Sequence, residues 1–156
     1  MKIALGMDHR GVDVGRVLTV DLPGQGHEVQ VLGPCDQDTC DYPDVTWPVA
    51  RAVAAGEVDR GILVCGTGIG ASIAANKVPG VRAALVHDET TAELSRRHND
   101  ANVLCLAGDA LTDEARILRI VNVWLATPFD GGRHARRVDK IAAIERGENP
   151  VEAVKA

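Results

Sequence analysis

Five short aliphatic runs separated by longer stretches of helical spacing constrain this chain more than any other feature. The runs fall at residues 2–6, 28–32, 61–65, 82–86 and 102–106. Three of them are nearly continuous apolar sequence, the pattern of strands covered on both faces of a sheet. The intervening segments are long enough for helical crossovers, so the alternation predicts βα units around a parallel sheet. Helices are expected at about 12–22, 44–55, 70–76, 89–99, 112–126 and 133–146, with ends good to about 2–4 residues. Pro23 and Gly24 close the first of them. Residues 33–43, rich in Asp, Gly and Pro, read as a loop.

A chain of 156 residues with 46% apolar content supplies one domain and its core. We expect that domain to span 1–146, with a loosely ordered tail at 147–156. The net charge of −5, with both signs interspersed, argues against a nucleic-acid surface. No apolar stretch approaches the roughly 18 residues of a spanning helix, and the start MKIALGMDHR is unlike a signal peptide. The expectation is a soluble, cytoplasmic protein with no membrane partner. The four cysteines, Cys35, Cys40, Cys65 and Cys105, form no C-x-x-C pair, so neither a zinc site nor a disulfide framework is expected and all four are taken as free thiols.

In an open parallel sheet, ligands bind beyond the carboxyl ends of the strands. Those positions hold Asp8 and His9 after the first strand, Cys65-Gly66-Thr67-Gly68-Ile69-Gly70 after the third, and His87 and Asp88 after the fourth. His98 and Asn99 precede the fifth. The glycines after Cys65 let backbone N–H groups approach an anionic oxygen, such as a phosphate or an enediolate. The same turn could equally serve tight strand-to-helix packing alone. A thiol beside a helix N-terminus has its thiolate favoured and is a credible base, whereas a buried cysteine elsewhere is a small hydrophobe. Residues 66–71 also fit G-x-G-x-x-G/A, with Asp88 about 20 residues on where a ribose-binding acid is expected. That dinucleotide reading is weakened because the motif follows the third strand and the chain has no room for a separate substrate domain.

Six ordered motifs go further: Met7-Asp8-His9-Arg10-Gly11, Asp41-Tyr42-Pro43, residues 61–70, Ala74-Ala75-Asn76-Lys77, Ser95-Arg96-Arg97-His98-Asn99-Asp100 and residues 131–138. On these the chain resembles, over nearly its full length, the ribose-5-phosphate isomerase B family, which includes the galactose-6-phosphate isomerase subunits. The resemblance implies a flavodoxin/Rossmann-like three-layer α/β/α sandwich. It also implies a homodimer or dimer of dimers with sites at the subunit interface, where the helix at about 133–146 packs. The activity it implies is aldose–ketose isomerisation of a sugar phosphate in the pentose phosphate pathway, without metal or cofactor.

Moving a proton between C1 and C2 of an open-chain sugar phosphate needs a base, a stabiliser for the enediolate oxygen, an acid–base group for ring opening and a phosphate anchor. By similarity Cys65 is the base, assisted by Thr67, and His98 opens the furanose ring. The turn formed by Gly66, Gly68, Ile69 and Gly70 holds the developing charge. Asp8 and Asn99 hold sugar hydroxyls, with Tyr42 beside the substrate. Phosphate falls to His9, Arg133 and Arg137, the two arginines being four apart on one helical face. His87, Asp88 and His134 are left without a role. Where many members carry an arginine after the fifth strand, this chain has Ala107-Gly108-Asp109-Ala110. An acidic Asp109 would repel phosphate, so the turn is expected either to point away or to leave the anion to the other basic residues. Six-carbon and four-carbon sugar phosphates are alternatives to ribose 5-phosphate. A nucleotide-binding or regulatory module and an inactive scaffold subunit stand as alternatives to an enzyme.

Overall fold

The computed structural model describes residues 1–33, 35 and 39–154. Strands β1 (Lys2–Met7), β2 (Glu28–Val31), β3 (Arg60–Cys65), β4 (Ala83–Leu85) and β5 (Val103–Ala107) form one all-parallel sheet in the order β2-β1-β3-β5-β4. Between and after them lie α1 (Val12–Gly24), α2 (Tyr42–Ala54), α3 (Ile69–Ala75), α4 (Glu89–Asn99), α5 (Glu114–Ala126), α6 (Arg133–Glu145) and α7 (Pro150–Ala153). Each expected strand lies within one residue of an observed one, and each expected helix within two. The α/β/α sandwich is therefore as expected, although the last two strands are exchanged relative to the flavodoxin order 2-1-3-4-5.

The differences have local causes. α2 begins at Tyr42, two residues early, because Pro43 sits in its first turn, where the missing N–H would have no helical partner anyway. α1 runs on through Pro23 to Gly24, and the His27 N–H closes its end on the Leu22 carbonyl at 3.2 Å around a left-handed Gly26. In the tail, where no regular structure was expected, Asn149 caps the short α7 by accepting from the Val151 N–H. Part of the expected loop at 33–43 and the last two residues of the tail lie outside the described residues.

Alternation along the central strands divides the core in two. Ile3 and Leu5, Ile62 and Val64, and Leu104 and Leu106 face α1, α4 and α5, where Leu18, Ile120 and the fully buried Trp124 complete the packing. Burying each such side chain contributes about 1.5–3 kcal/mol. Ala4, Leu63, Cys65, Val103 and Cys105 face α2 and α3. The chain leaves β1 for α1 on one face and β2 for α2 on the other, so a crevice opens at the carboxyl ends of β1 and β3.

Candidate active site

That crevice is a cavity of about 300 Å³ lined by residues from four segments: Asp8, His9 and Arg10 after β1, Cys40 and Asp41 before α2, Tyr42 on α2, and Cys65, Gly66, Thr67 and Gly70 around the end of β3. Its chemistry begins with Cys65, a residue 4% exposed at the last position of β3. The Gly68 N–H donates to Cys65 Sγ at 3.2 Å, and the Ile69 N–H donates to Thr67 Oγ1 at 3.3 Å. Thr67 Oγ1 thus accepts an amide of the turn beside the sulfur. Gly68 has φ +74°, which favours glycine whatever the space, and a Cβ there would have to push aside Leu85 Cδ1, 2.4 Å away. At Gly70 a Cβ would lie 2.6 Å from Tyr42 Cζ. The phenol ring therefore packs on the bare backbone at the start of α3, which brings Tyr42 to the thiol's side of the cavity.

Asp8 is 5% exposed and accepts the N–H groups of Arg10 at 2.9 Å and Gly11 at 3.1 Å. Its carboxylate holds the β1–α1 turn in shape and leaves its second oxygen for a ligand. The Cys40 N–H donates to His9 Nδ1 at 3.4 Å. Cys40 is also disulfide-bonded to Cys35, with Cα atoms 5.8 Å apart. This corrects the expectation of four free thiols: the two cysteines are five apart in sequence and their Cα atoms fall within disulfide range, which spacing without a C-x-x-C pattern did not signal. Cys65 and Cys105 remain free and buried.

His98, Asn99, Arg133 and Arg137 do not line this cavity. His98 instead stacks on His134, with centroids 4.2 Å apart and planes within 2°. His134 is 6% exposed. Its pKa is pushed below the ordinary histidine value by burial first, then by the charges of His98, Arg133 and Arg137. Both arginines therefore stand near this ring, and the Arg133 Nε donates to His134 Nε2 at 3.3 Å. Asp130 accepts from Arg97, which together with the flanking histidines draws its carboxyl below the usual range. Ligand atoms of His98, Asp130 and His134 all lie within 4.8 Å of one another, a set that could hold a metal ion. Two of the three are already engaged, Asp130 with Arg97 and His134 with Arg133. Asn99 lines a separate cavity of about 190 Å³ with Asn76, Arg82 and Ile141.

Residues that the sequence left without a role complete the picture. Asp88 is the N-cap of α4, accepting from the Thr91 N–H at 2.7 Å and the Thr91 hydroxyl at 2.8 Å. The Thr91 amide is the main reason its pKa is lowered. Its engagement in the cap removes the acid on which the dinucleotide reading leaned. Asp109 is not among the residues lining the cavity, and its charge does not stand unopposed: Arg10 grips it through Nε→Oδ1 at 2.9 Å and through Nη2→Oδ2. The only sequence signal for this pair was the presence of Arg10 inside the first motif.

A profile of the Ribose/Galactose Isomerase family matches residues 3–141. The chain belongs to that family. Among relatives of this isomerase family, the chain is 45% identical to "Ribose-5-phosphate isomerase B" of Escherichia coli, over 95% of this chain and 99% of that one. It is 38% identical to "D-erythrulose-4-phosphate isomerase" of Pectobacterium atrosepticum, over 95% and 97%. A ribose-5-phosphate isomerase B structure from Clostridium thermocellum superposes with TM-score 0.91 at 48% identity, covering 94% of this chain and 99% of that one. Another family structure, from Mycoplasma genitalium with bound ribulose-5-phosphate, gives TM-score 0.87 at 43% identity over 93% and 96%. The chain is thus a member of a sugar-phosphate isomerase family, and no helix among the described residues is long and apolar enough to cross a membrane.

Proposed function

We propose that the protein interconverts ribose 5-phosphate and ribulose 5-phosphate through a cis-enediolate, with Cys65 as the base. The observation that carries this reading is the Gly68 N–H aimed at Cys65 Sγ at 3.2 Å, in a cavity that also holds Asp8, His9 and Tyr42. In the forward direction the Cys65 thiolate takes the proton from C2 of the open-chain aldose. The C2–H electron pair becomes the C1–C2 double bond, and negative charge builds on O1 opposite the turn amides of residues 66–70. The O2 hydroxyl proton passes to O1, and the thiol returns its proton to C1 as O2 becomes the ketone. Asp8 accepts from a sugar hydroxyl, and His9 stands at the phosphate end.

His98 opens the furanose ring in this reading, Asn99 holds a sugar hydroxyl, and Arg133 and Arg137 grip the phosphate from the second cluster. Since that cluster does not line the Cys65 cavity of its own chain, the complete site is shared between two chains. Exposed Ile69 and Ile73 on α3, and Ile141 and Ile144 on α6, supply apolar surface for such a homodimer. The reading places the enzyme in the cytoplasm and needs no cofactor, metal, nucleic acid or membrane. A four-carbon substrate is the second reading, favoured by the likeness to D-erythrulose-4-phosphate isomerase.

The deciding experiment is conversion of ribose 5-phosphate by the purified protein with EDTA present and Cys65→Ala alongside. We expect turnover that survives the chelator and falls by about 10²–10⁴-fold in the variant. Absence of wild-type turnover on ribose 5-phosphate, with turnover of erythrulose 4-phosphate, would establish the second reading in its place.

A further inference from the structure

We propose that Arg10, oriented by Asp109, is a phosphate-binding residue of the Cys65 cavity, and that Asp109 is its positioning residue. The proposal rests on the sugar-phosphate reading of the site and adds to it a residue pair outside the set the motifs assign.

Three strand-end turns converge on Arg10. Its own N–H is fixed by Asp8, at 2.9 Å. Its carbonyl lies so close to the β5 turn that a Cβ on Gly108 would fall 2.3 Å from it. Its side chain crosses the turn that follows Cys65, where a Cβ on Gly66 would meet Arg10 Nε at 3.0 Å and Asp109 Oδ2 at 3.1 Å. The same two turns are tied by backbone, Gly108 N–H to the Cys65 carbonyl at 2.8 Å and Asp109 N–H to the Gly66 carbonyl at 3.0 Å. Any movement of Asp109 is therefore felt at the thiol and at Arg10 together.

The pair is bidentate, with Nε and Nη2 of Arg10 on the two oxygens of Asp109. A guanidinium has five N–H donors in a fixed plane, so engagement of one edge leaves three donors on the other, the geometry that suits a phosphate. The side chain is 56% exposed and lines the cavity beside His9 and Thr67. Arg10 also borders the larger cavity of about 510 Å³ between α1 and α5, which shares no other lining residue with the Cys65 cavity. An ion pair this exposed adds little to stability, and stability alone does not account for a β5 turn with no room for a Cβ at Gly108 and a β3 turn that is tight at Gly66. Holding a long cation in one orientation before the ligand arrives lowers the ordering cost of binding, which is what Asp109 supplies. It also explains how an acid can occupy this turn beside an anion site: its charge is spent on Arg10.

The test is calorimetric titration of the full-length protein with inorganic phosphate, in parallel with KM and kcat on ribose 5-phosphate. Arg10→Gln is expected to weaken phosphate binding by about ten- to a hundredfold and to raise KM by more than it lowers kcat. Arg10→Lys, which keeps the charge and the fold but loses the planar fork, should recover part of the loss. Asp109→Ala should weaken binding several-fold in the wild-type background and have no effect on top of Arg10→Gln, the non-additivity of residues acting as one unit. A folded Arg10→Gln or Arg10→Lys protein that binds phosphate as tightly as wild type would overturn the proposal. So would an Asp109→Ala effect of equal size with and without Arg10. Phosphate affinity is read independently of turnover, so an enzyme inactive on ribose 5-phosphate would count against the substrate reading and leave the Arg10 comparison to decide this one.

Discussion

The Gly68 N–H points at Cys65 Sγ from 3.2 Å away, and it can do so because Gly68 adopts φ +74° at the entrance to α3. The donor and the thiol are thus coupled through a conformation that side chains resist. Gly68→Ala brings two penalties: a left-handed backbone costing about 1–3 kcal/mol, and a Cβ 2.4 Å from Leu85 Cδ1. The turn should relax by swinging the amide off the sulfur. We expect a lowered melting temperature and a fall in kcat that exceeds the change in KM. Unchanged kcat in a folded variant would show that this amide does not serve the reaction.

The aspartate of the Ser95–Asp100 motif is structural. Asp100 is the one non-glycine residue with positive φ among the described residues. It receives Arg96 Nη1 at 2.8 Å and Arg82 Nη2 at 2.9 Å. Arg96 is 3% exposed and also donates to the Ala101 and Thr127 carbonyls. Asp100→Asn keeps a residue that tolerates the left-handed backbone but leaves a buried guanidinium short of its counter-charge. Stability should fall by roughly 1–3 kcal/mol, read as a lower urea midpoint at unchanged m-value. Because Asp100 ends α4 just past His98, turnover should decline with it if His98 has the role proposed for it.

How much of this was legible beforehand follows from the range of each interaction. Three of the five strands were readable because burial on both faces writes itself as continuous apolar sequence, as in residues 61–65, whereas β2, largely exposed, was readable from its place in the strand–helix alternation. Cys65 and its glycine turn were readable because the chemistry is local to six residues. The Arg10–Asp109 pair joins positions 99 apart in sequence, and nothing in either local pattern announces it. The strand exchange that sets β5 beside β3 is a choice of crossover, to which periodicity is blind. The Cys35–Cys40 bond depends on the distance between two Cα atoms, which composition and spacing do not encode.

The buried His134 makes stability depend on pH in a stated direction. Its folded-state pKa lies below the ordinary 6.5, chiefly through burial, so the unfolded chain binds the extra proton more readily. Stability is then fully present above about pH 6.5 and is lost as pH falls through the depressed folded value. The carboxylates with lowered pKa, Asp88, Glu89, Asp130 and Glu148, add their own losses only at still lower pH. Urea midpoints measured from pH 8 down to pH 5 should decline for wild type and flatten in that range for His134→Phe, which keeps the stack on His98 and cannot titrate. Parallel curves for the two proteins would assign the decline to other groups.

The cysteines divide into three classes that alkylation can count. Cys35 and Cys40 are bonded to each other and should not react until reduced. Burial pushes the Cys105 thiol well above its ordinary pKa, with Cys65 a smaller contributor, so it should stay inert while the protein is folded. Cys65 lines the cavity and is the thiol open to a small reagent. Iodoacetamide followed by mass spectrometry should therefore find one modification in the native protein, two after unreduced denaturation and four after reduction, with sugar phosphate protecting the first. Closing so short a loop is worth about 2 kcal/mol in the chain-entropy account, so the reduced protein should also melt lower. Four reactive thiols in unreduced, denatured protein would mean that Cys35 and Cys40 are unpaired. Modification of Cys105 ahead of Cys65 would remove the cavity as the reason for reactivity.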